Sequence, residues 1–232
     1  MTPQEDRLRS QAAVSIPAAG VRLGAEMHIP SGASGIVAFA HGSGSSRHSP
    51  RNRFVAGELL KSGLATLLLD LLEEDEAQDR DNVFDIELLA SRLLGVSTWL
   101  SNNPATRSLR IGYFGASTGA AAALVAAARE PAKVSALVSR GGRPDMALRW
   151  LPAVKAPTLL IVGELDVPVL GWNEDAYRRL TTDKELVIVP GATHLFEEPG
   201  ALEEVARHAC RWFARYLSPQ AARPGAAGEA RP

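Results

Sequence analysis

Six short apolar segments constrain the fold more than any other feature of the sequence. They lie at residues 35–40, 65–69, 109–114, 134–139, 158–162 and 185–189. Because they show no alternation with polar residues, both faces of each strand should be covered, as in a parallel sheet. Two segments that alternate more, at 12–16 and 21–28, are predicted to form an antiparallel edge.

The stretches between these strands are predicted to be helices. Residues 85–100 carry Ile86, Leu89 and Leu93 at spacings of three and four, which gives one apolar face. Further helices are expected at 53–61, 118–129, 173–180 and 199–217. The alternation predicts the α/β class, with a doubly wound, mostly parallel eight-stranded sheet flanked by helices.

The length of 232 residues favours a single domain. We expect residues 1–217 to form it and residues 218–232, which lack periodicity, to be a disordered tail. Residues 111–128 carry no charge and reach the lower edge of a membrane span. Their glycines and alanines favour a buried strand, a tight turn and a buried helix instead.

The charge balance bears on partners and location. The chain has 25 basic and 26 acidic residues, so no field of one sign would attract nucleic acid or anionic lipid, and we expect neither partner. Cys210 is the single cysteine, which fits a reducing, cytoplasmic location. The acidic run at 71–81 matches no calcium-loop spacing, so we predict a solvated loop and no bound metal.

The strongest chemical signal is Gly115-Ala116-Ser117-Thr118-Gly119. It follows a predicted strand and opens a predicted helix, which is the context of a G-x-S-x-G nucleophile elbow. Side chains at the two flanking positions would collide in such a sharp turn. The alternative is an ordinary turn with a serine N-cap, but the strand and helix favour Ser117 as a nucleophile.

A serine nucleophile needs a base, and the base needs an acid to orient it. His194 lies in the loop after the last strand, whereas His208 falls inside the last helix, so His194 is the predicted base. Glu164 and Asp166 follow the preceding strand. We choose Asp166 because it stands further into the loop, where it can reach the imidazole.

Two further groups complete the predicted site. Backbone N–H donors of Thr118 and of Ser43, in the glycine-rich loop 41–46, are expected to form an oxyanion hole. His41 is expected to hydrogen-bond that loop as a scaffold residue. Arg140 ends a strand near the site and could bind an anionic group of a substrate, although a protein carboxylate or solvent would serve it equally.

Three motifs, in order, resemble the α/β-hydrolase family over residues 12–217. They are the pentapeptide around Ser117, Gly163-Glu164-Leu165-Asp166 and Gly191-Ala192-Thr193-His194-Leu195-Phe196. The compact form resembles the dienelactone hydrolase branch, since residues 140–156 leave no room for a sizeable lid. The resemblance implies a triad of Ser117, Asp166 and His194. Dienelactone hydrolases proper carry a cysteine nucleophile and a glutamate in the loop that here reads His41-Gly42-Ser43-Gly44.

The resulting expectation is a serine hydrolase of small carboxylic esters that needs no cofactor. Thioesters, lactones and phosphotriesters remain open as substrates of the same residues. A non-catalytic small-molecule-binding protein on the same fold is the alternative of a different class. Phosphate binding by the glycine-rich turns is weakest, because no Lys follows Gly119.

Overall fold

The computed structural model describes residues 8–218. Eight strands form one sheet in the order β1-β2-β4-β3-β5-β6-β7-β8. Their bounds are β1 Leu8–Ala18, β2 Val21–Pro30, β3 Gly35–Ala40, β4 Ala65–Leu69, β5 Arg110–Ala116, β6 Ala136–Arg140, β7 Thr158–Gly163 and β8 Lys184–Val189. The predicted doubly wound sheet of eight strands is confirmed. Residues 219–232 lie outside the described part, and so does the predicted tail apart from Ser218.

The direction of the strands also follows the sequence pattern. β1 pairs with β2, and β2 with β4, in antiparallel fashion. The pairs from β4 through β3 and β5 to β8 are parallel. The carboxyl ends of these six strands therefore meet at one edge, with β5 near its middle.

The described residues form six α-helices, most of which pack on the sheet. They are α1 Pro50–Lys61, α2 Arg80–Phe84, α3 Ile86–Asn102, α4 Thr118–Arg129, α5 Val167–Arg179 and α6 Ala201–Leu217. α1 and α6 cover one face, where Phe39, Phe114 and Phe213 are buried. α3, α4 and α5 cover the other face, around Tyr113 and the alanines of α4. Both faces of the central strands are thus covered, as their apolar character requires.

The structure corrects two details, and it agrees with the prediction that residues 140–156 hold no sizeable lid. α5 begins at Val167, six residues earlier than predicted, because Pro168 suits the first turn of a helix and Gly171 is accommodated inside it. The acidic run is not simply a loop, since it contains a 3-10 turn at Glu76–Gln78 and leads into α2. Between β6 and β7 the chain forms a compact 3-10 segment, Pro144–Ala153, and no lid.

Residues 111–128 form most of β5 and α4, as predicted for a strand, turn and helix. In the part of the chain that the structure describes, no helix combines the length and apolar character of a membrane span.

Candidate active site

Ser117 lies at the sharp turn between β5 and α4. Its backbone has φ 50° and ψ −122°, a conformation that costs a non-glycine residue free energy. A methyl group at Gly115 would lie 2.4 Å from the Cα of Ala120, and one at Gly119 would lie 2.2 Å from the carbonyl oxygen of Ala40. The two glycines let the strand, the turn and the helix pack in direct contact, and the turn holds Ser117 at the carboxyl edge of the sheet.

Hydrogen bonds fix the main chain of this turn. The Ser117 N–H donates to the carbonyl of Arg140 at 3.2 Å, and the Ser117 carbonyl accepts from the N–H groups of Ala120 and Arg143, each at 3.1 Å. The backbone of Ser117 is therefore hydrogen-bonded both to α4 and to the end of β6 with the loop that follows it. Such support is what lets a strained conformation persist.

Asp166 and His194 form a close pair at the same edge. Nδ1 of His194 lies 2.6 Å from Oδ2 of Asp166. Since an ionised carboxylate can only accept, Nδ1 carries the proton and Nε2 is left as an acceptor. Asp166 occupies the N-cap position of α5 but makes no capping bond with its side chain. Its carboxylate is 11% exposed and the imidazole 38%, so the base is open to solvent while the acid is mostly shielded.

The residues that competed for these positions lie elsewhere. Glu164 accepts a hydrogen bond from the Gly191 N–H at 2.8 Å, so it ties the loop after β7 to the loop after β8. His208 lies in α6, 3.6 Å from Glu204. Of the two carboxylates and the two histidines weighed in the sequence, only Asp166 and His194 meet.

The imidazole packs on the loop that follows β6. Gly141, with φ 50°, is so close that a methyl group there would be 3.4 Å from Cε1 and Nδ1 of the His194 ring. In the described part of the chain, His194 is hydrogen-bonded to Asp166 and not to the Ser117 hydroxyl. Hydrogen bonds between a base and its nucleophile are often long in a free enzyme and shorten when substrate binds.

The loop after β3 approaches the nucleophile from the other side. A methyl group at Gly42 would lie 2.9 Å from Cβ of Ser117. The Ser43 N–H donates to Oγ1 of Thr118 at 2.9 Å. The Thr118 N–H, at the first position of α4, has no acceptor within its own helix. The Ser43 N–H therefore lies beside the side chain of Thr118, whose hydroxyl accepts from it in the free protein.

His41 supports this loop. Its Nδ1 lies 2.9 Å from the carbonyl oxygen of Gly42, and since a carbonyl only accepts, Nδ1 donates. Its Nε2 lies 3.5 Å from Asp70, which also binds the Arg47 side chain. His41 therefore contacts its own loop and the end of β4, as expected of a scaffold residue.

Arg140 is a buried cation at the end of β6. The residue is only 8% exposed, and its Nε and Nη1 have no hydrogen-bond partner among the described residues. Its guanidinium carbon lies 5.7 Å from the centre of the Phe196 ring. Burial, and then the nearby charge of Arg51, lowers the pKa of Arg140 to about 10. The side chain therefore remains charged at neutral pH, and the described residues give it no carboxylate partner.

A cavity of about 710 Å³ adjoins the loop after β3. Gly42, Ser43 and Thr118 line one end of it, and the segment that follows β4 lines the other. The sequence pattern does not predict this cavity, because the charges of the chain from β4 to α3 favour a solvated loop. The apolar residues Leu71, Leu72 and Val83, interspersed among the acids, were the available signal.

Metal ligands do not gather in this part of the molecule. Among residues 8–218, no group of three or more His, Cys, Asp or Glu side chains is arranged to hold a metal ion.

The sheet order, the strained serine after β5 and the Asp166–His194 pair define the α/β-hydrolase class of fold. The chain belongs to the dienelactone hydrolase family, whose sequence model matches residues 29–219. The crystal structure of a dienelactone hydrolase from Anabaena variabilis is 59% identical, covers 90% of this chain and 98% of its own, and superposes with a TM-score of 0.87.

More distant structures share the fold. Est1E from Butyrivibrio proteoclasticus is 17% identical with a TM-score of 0.76, covering 88% of this chain and 98% of its own. An esterase from Pyrococcus furiosus is 20% identical with a TM-score of 0.73, covering 94% and 95%. Membership of the dienelactone hydrolase family, together with the structure that is 59% identical, supports a hydrolase.

A further relative carries a different name. A Mycobacterium tuberculosis protein named "putative phosphoribosyl transferase" is 57% identical over 204 residues, which are 88% of this chain. The chain spans 46% of that protein's length.

Proposed function

We propose that the chain is a serine hydrolase that cleaves small carboxylic esters without a cofactor. The observation that carries the proposal is the 2.6 Å contact of His194 with Asp166, at the same sheet edge as the strained Ser117. An imidazole oriented by a carboxylate, at the same sheet edge as a half-buried serine, is the arrangement that activates a weak nucleophile.

In the proposed reaction, Ser117 Oγ attacks the carbonyl carbon of the ester while His194 Nε2 takes the hydroxyl proton. The carbonyl π electrons move to oxygen and form a tetrahedral oxyanion. When this collapses, the bond to the alcohol oxygen breaks and His194 returns the proton to the leaving alcohol. Water then repeats the sequence on the acyl-enzyme and releases the acid. Asp166 holds the imidazole in the required tautomer and stabilises the imidazolium.

The N–H groups of Thr118 and Ser43 are proposed to hold the oxyanion. The contact between the two residues supports this, since the Thr118 hydroxyl, at the first position of α4, already accepts from the Ser43 N–H at 2.9 Å. A substrate oxyanion would replace the Thr118 hydroxyl as the acceptor for Ser43. Preorganised donors of this kind contribute roughly 3 kcal/mol each in acyl transfer.

Arg140 is proposed to bind an anionic group on the part of the substrate that faces His194. Two observations support this: the guanidinium is buried without a carboxylate partner among the described residues, and the next residue, Gly141, packs against the His194 ring. An unpaired buried charge is costly, and a carboxylate on the substrate would offset that cost.

A lactone is the second candidate substrate, because a relative 59% identical to this chain is called a dienelactone hydrolase. A lactone is a cyclic ester, so the same steps apply, and the leaving alcohol stays attached to the acyl group. The transferase name of the mycobacterial relative belongs to a protein of which this chain spans less than half, and we assign no transferase activity on that ground.

Turnover of p-nitrophenyl acetate tests the proposal. Ser117→Ala should abolish turnover, and Asp166→Asn should lower kcat by about 10⁴, because the wrong imidazole tautomer would face the serine. Glu164→Gln is the matched control, since that carboxylate binds a backbone N–H and not the imidazole. Unchanged turnover in Ser117→Ala would refute the proposal.

A further inference from the structure

The strand order places different groups on the two sides of Ser117. Along the carboxyl edge of the sheet, the loops succeed one another from β4 and β3, through Ser117 after β5, to Asp166 after β7 and His194 after β8. The base therefore lies on one side of the nucleophile. The loop at residues 41–46, which we call the oxyanion loop for its proposed role, and the 710 Å³ cavity lie on the other.

The chemistry imposes a direction on the substrate as well. His194 must protonate the oxygen of the leaving alcohol, so the alcohol part of an ester has to lie on the β7–β8 side. The oxyanion points to the donors at Ser43 and Thr118. The remaining substituent of the carbonyl carbon, the acyl chain, is then directed past Gly42 toward β3 and β4. Gly42 both contacts Ser117 and lines the cavity, so it connects the two.

The cavity suits an apolar acyl group at its far end. Leu71, Leu72, Val83 and Leu89 line it, and Leu71 and Leu89 are 1% and 5% exposed. Of the charged residues in its lining, Arg47 and Asp70 bind each other, and Arg22, Glu73 and Glu74 lie on its exposed side. A cavity of about 710 Å³ is of the size that holds a whole small ligand, far more than an acetyl group.

The alcohol side is more open. Leu165, which precedes Asp166, is 59% exposed, and Leu195, which follows His194, is 40% exposed. Groups in such positions contact a substrate without enclosing it, so they discriminate weakly between alcohols.

Resting on the proposed ester hydrolysis, we propose that the cavity between the oxyanion loop and the segment 71–89 is the acyl pocket. It would select esters of uncharged, medium-length or aromatic acids and discriminate weakly among neutral alcohols, while a carboxylate on the alcohol would contact Arg140 as proposed above. The segment between β4 and α3, rather than the one between β6 and β7, then determines specificity.

Two series of esters test this. With p-nitrophenol as the constant leaving group, kcat/KM should rise at least tenfold from acetate to hexanoate, because each buried methylene adds to binding. With hexanoate as the constant acid, ethyl and butyl esters should differ by less than about threefold. A larger dependence on the alcohol than on the acid would overturn the proposal.

Val83→Trp should fill the pocket. Val83 lies in α2 and is half-buried against the cavity, and the adjacent Phe84 is exposed and does not line it. We expect Val83→Trp to lower kcat/KM for the hexanoate ester at least tenfold while changing it less than about threefold for acetate. Phe84→Trp, on the same helix, should change neither.

The outcomes separate the pocket from the reaction. If Ser117→Ala abolishes turnover but Val83→Trp leaves the hexanoate-to-acetate ratio unchanged, the acyl pocket is refuted and the serine mechanism stands. If Ser117→Ala retains full turnover, the mechanism itself is refuted. Equal loss on both esters in Val83→Trp, with unchanged thermal unfolding, would also count against the pocket.

Discussion

The contact between Gly119 and the oxyanion loop gives the sharpest quantitative prediction. In Gly119→Ala, the new methyl group would lie 2.2 Å from the carbonyl oxygen of Ala40 and 2.4 Å from that of His41. Both atoms belong to the backbone, so neither can rotate away as a side chain would. An ordinary contact needs about 3.4 Å or more. Helix α4 and the end of β3 must therefore separate by about 1 Å.

Overpacking of this kind costs about 1–3 kcal/mol of folding stability. For a domain of this size, 2 kcal/mol corresponds to a fall in Tm of roughly 4–8 °C. The same movement displaces the Ser43 and Thr118 donors from Ser117. A misplacement of about 1 Å at a catalytic centre lowers the rate by about a hundredfold. We therefore expect Gly119→Ala to lose both stability and reactivity.

Thermal unfolding and the rate of phosphonate labelling at Ser117 measure the two effects. Gly171→Ala is the control, because Gly171 lies inside α5 with nothing within 4 Å of a new methyl group. That change should stabilise the protein by about 0.5–1 kcal/mol, since alanine favours the helix interior. Wild-type stability together with wild-type labelling in Gly119→Ala would refute the packing argument.

Three other substitutions address single interactions. Thr118→Val removes the acceptor of the Ser43 N–H in the free protein and should lower the free energy of unfolding by about 1 kcal/mol, the value of one neutral hydrogen bond, while kcat changes less than about threefold because the substrate oxyanion replaces that hydroxyl; a tenfold fall in kcat would contradict the replacement. Arg140→Met removes the buried guanidinium. It should lower kcat/KM at least about tenfold for esters that carry a carboxylate on the alcohol part and leave kcat/KM for neutral esters unchanged. An equal loss of kcat/KM on both kinds of ester would show that Arg140 does not bind the anion. Burial lowers the pKa of His28 below its usual 6.5, so the unfolded chain binds more protons and stability should fall as the pH drops below about 6.5. Urea unfolding at pH 7.5 and 5.5 should show a smaller loss for His28→Gln than for the wild type, and an identical loss would contradict this.

The central strands could be predicted from the sequence because burial on both faces leaves a continuous apolar run. β3 and β4 were predicted with their observed bounds, and β5 to β8 to within two residues at each end. The antiparallel edge was also predicted from its alternation. The position of β4 between β2 and β3 could not be predicted, since the order of strands depends on pairings between distant segments.

Elements that depend on tertiary contacts were harder to predict. The sequence pattern predicted a helix only from residue 173, yet α5 begins at Val167 because Pro168 suits its first turn. The segment from β4 to α3 looked solvated because of its charges. Its few leucines and Val83 turn inward and line the cavity.

The candidate site also has parts that could be predicted from the sequence and parts that could not. The elbow at Ser117 and the loop positions of Asp166 and His194 follow from local motifs placed after strands. The bond from Ser43 to Thr118 joins residues 75 positions apart, and no local pattern could indicate it. The catalytic roles themselves remain predictions that await measurement.

The central claim is that His194, oriented by Asp166, makes the Ser117 hydroxyl reactive. The most direct measurement is mass spectrometry of the intact and digested protein after treatment with a p-nitrophenyl alkylphosphonate. The account predicts one phosphonyl group per chain, attached to Ser117, with labelling slowed by about a thousandfold or more in His194→Ala. A label on another residue, or unchanged labelling of Ser117 in His194→Ala, would contradict it.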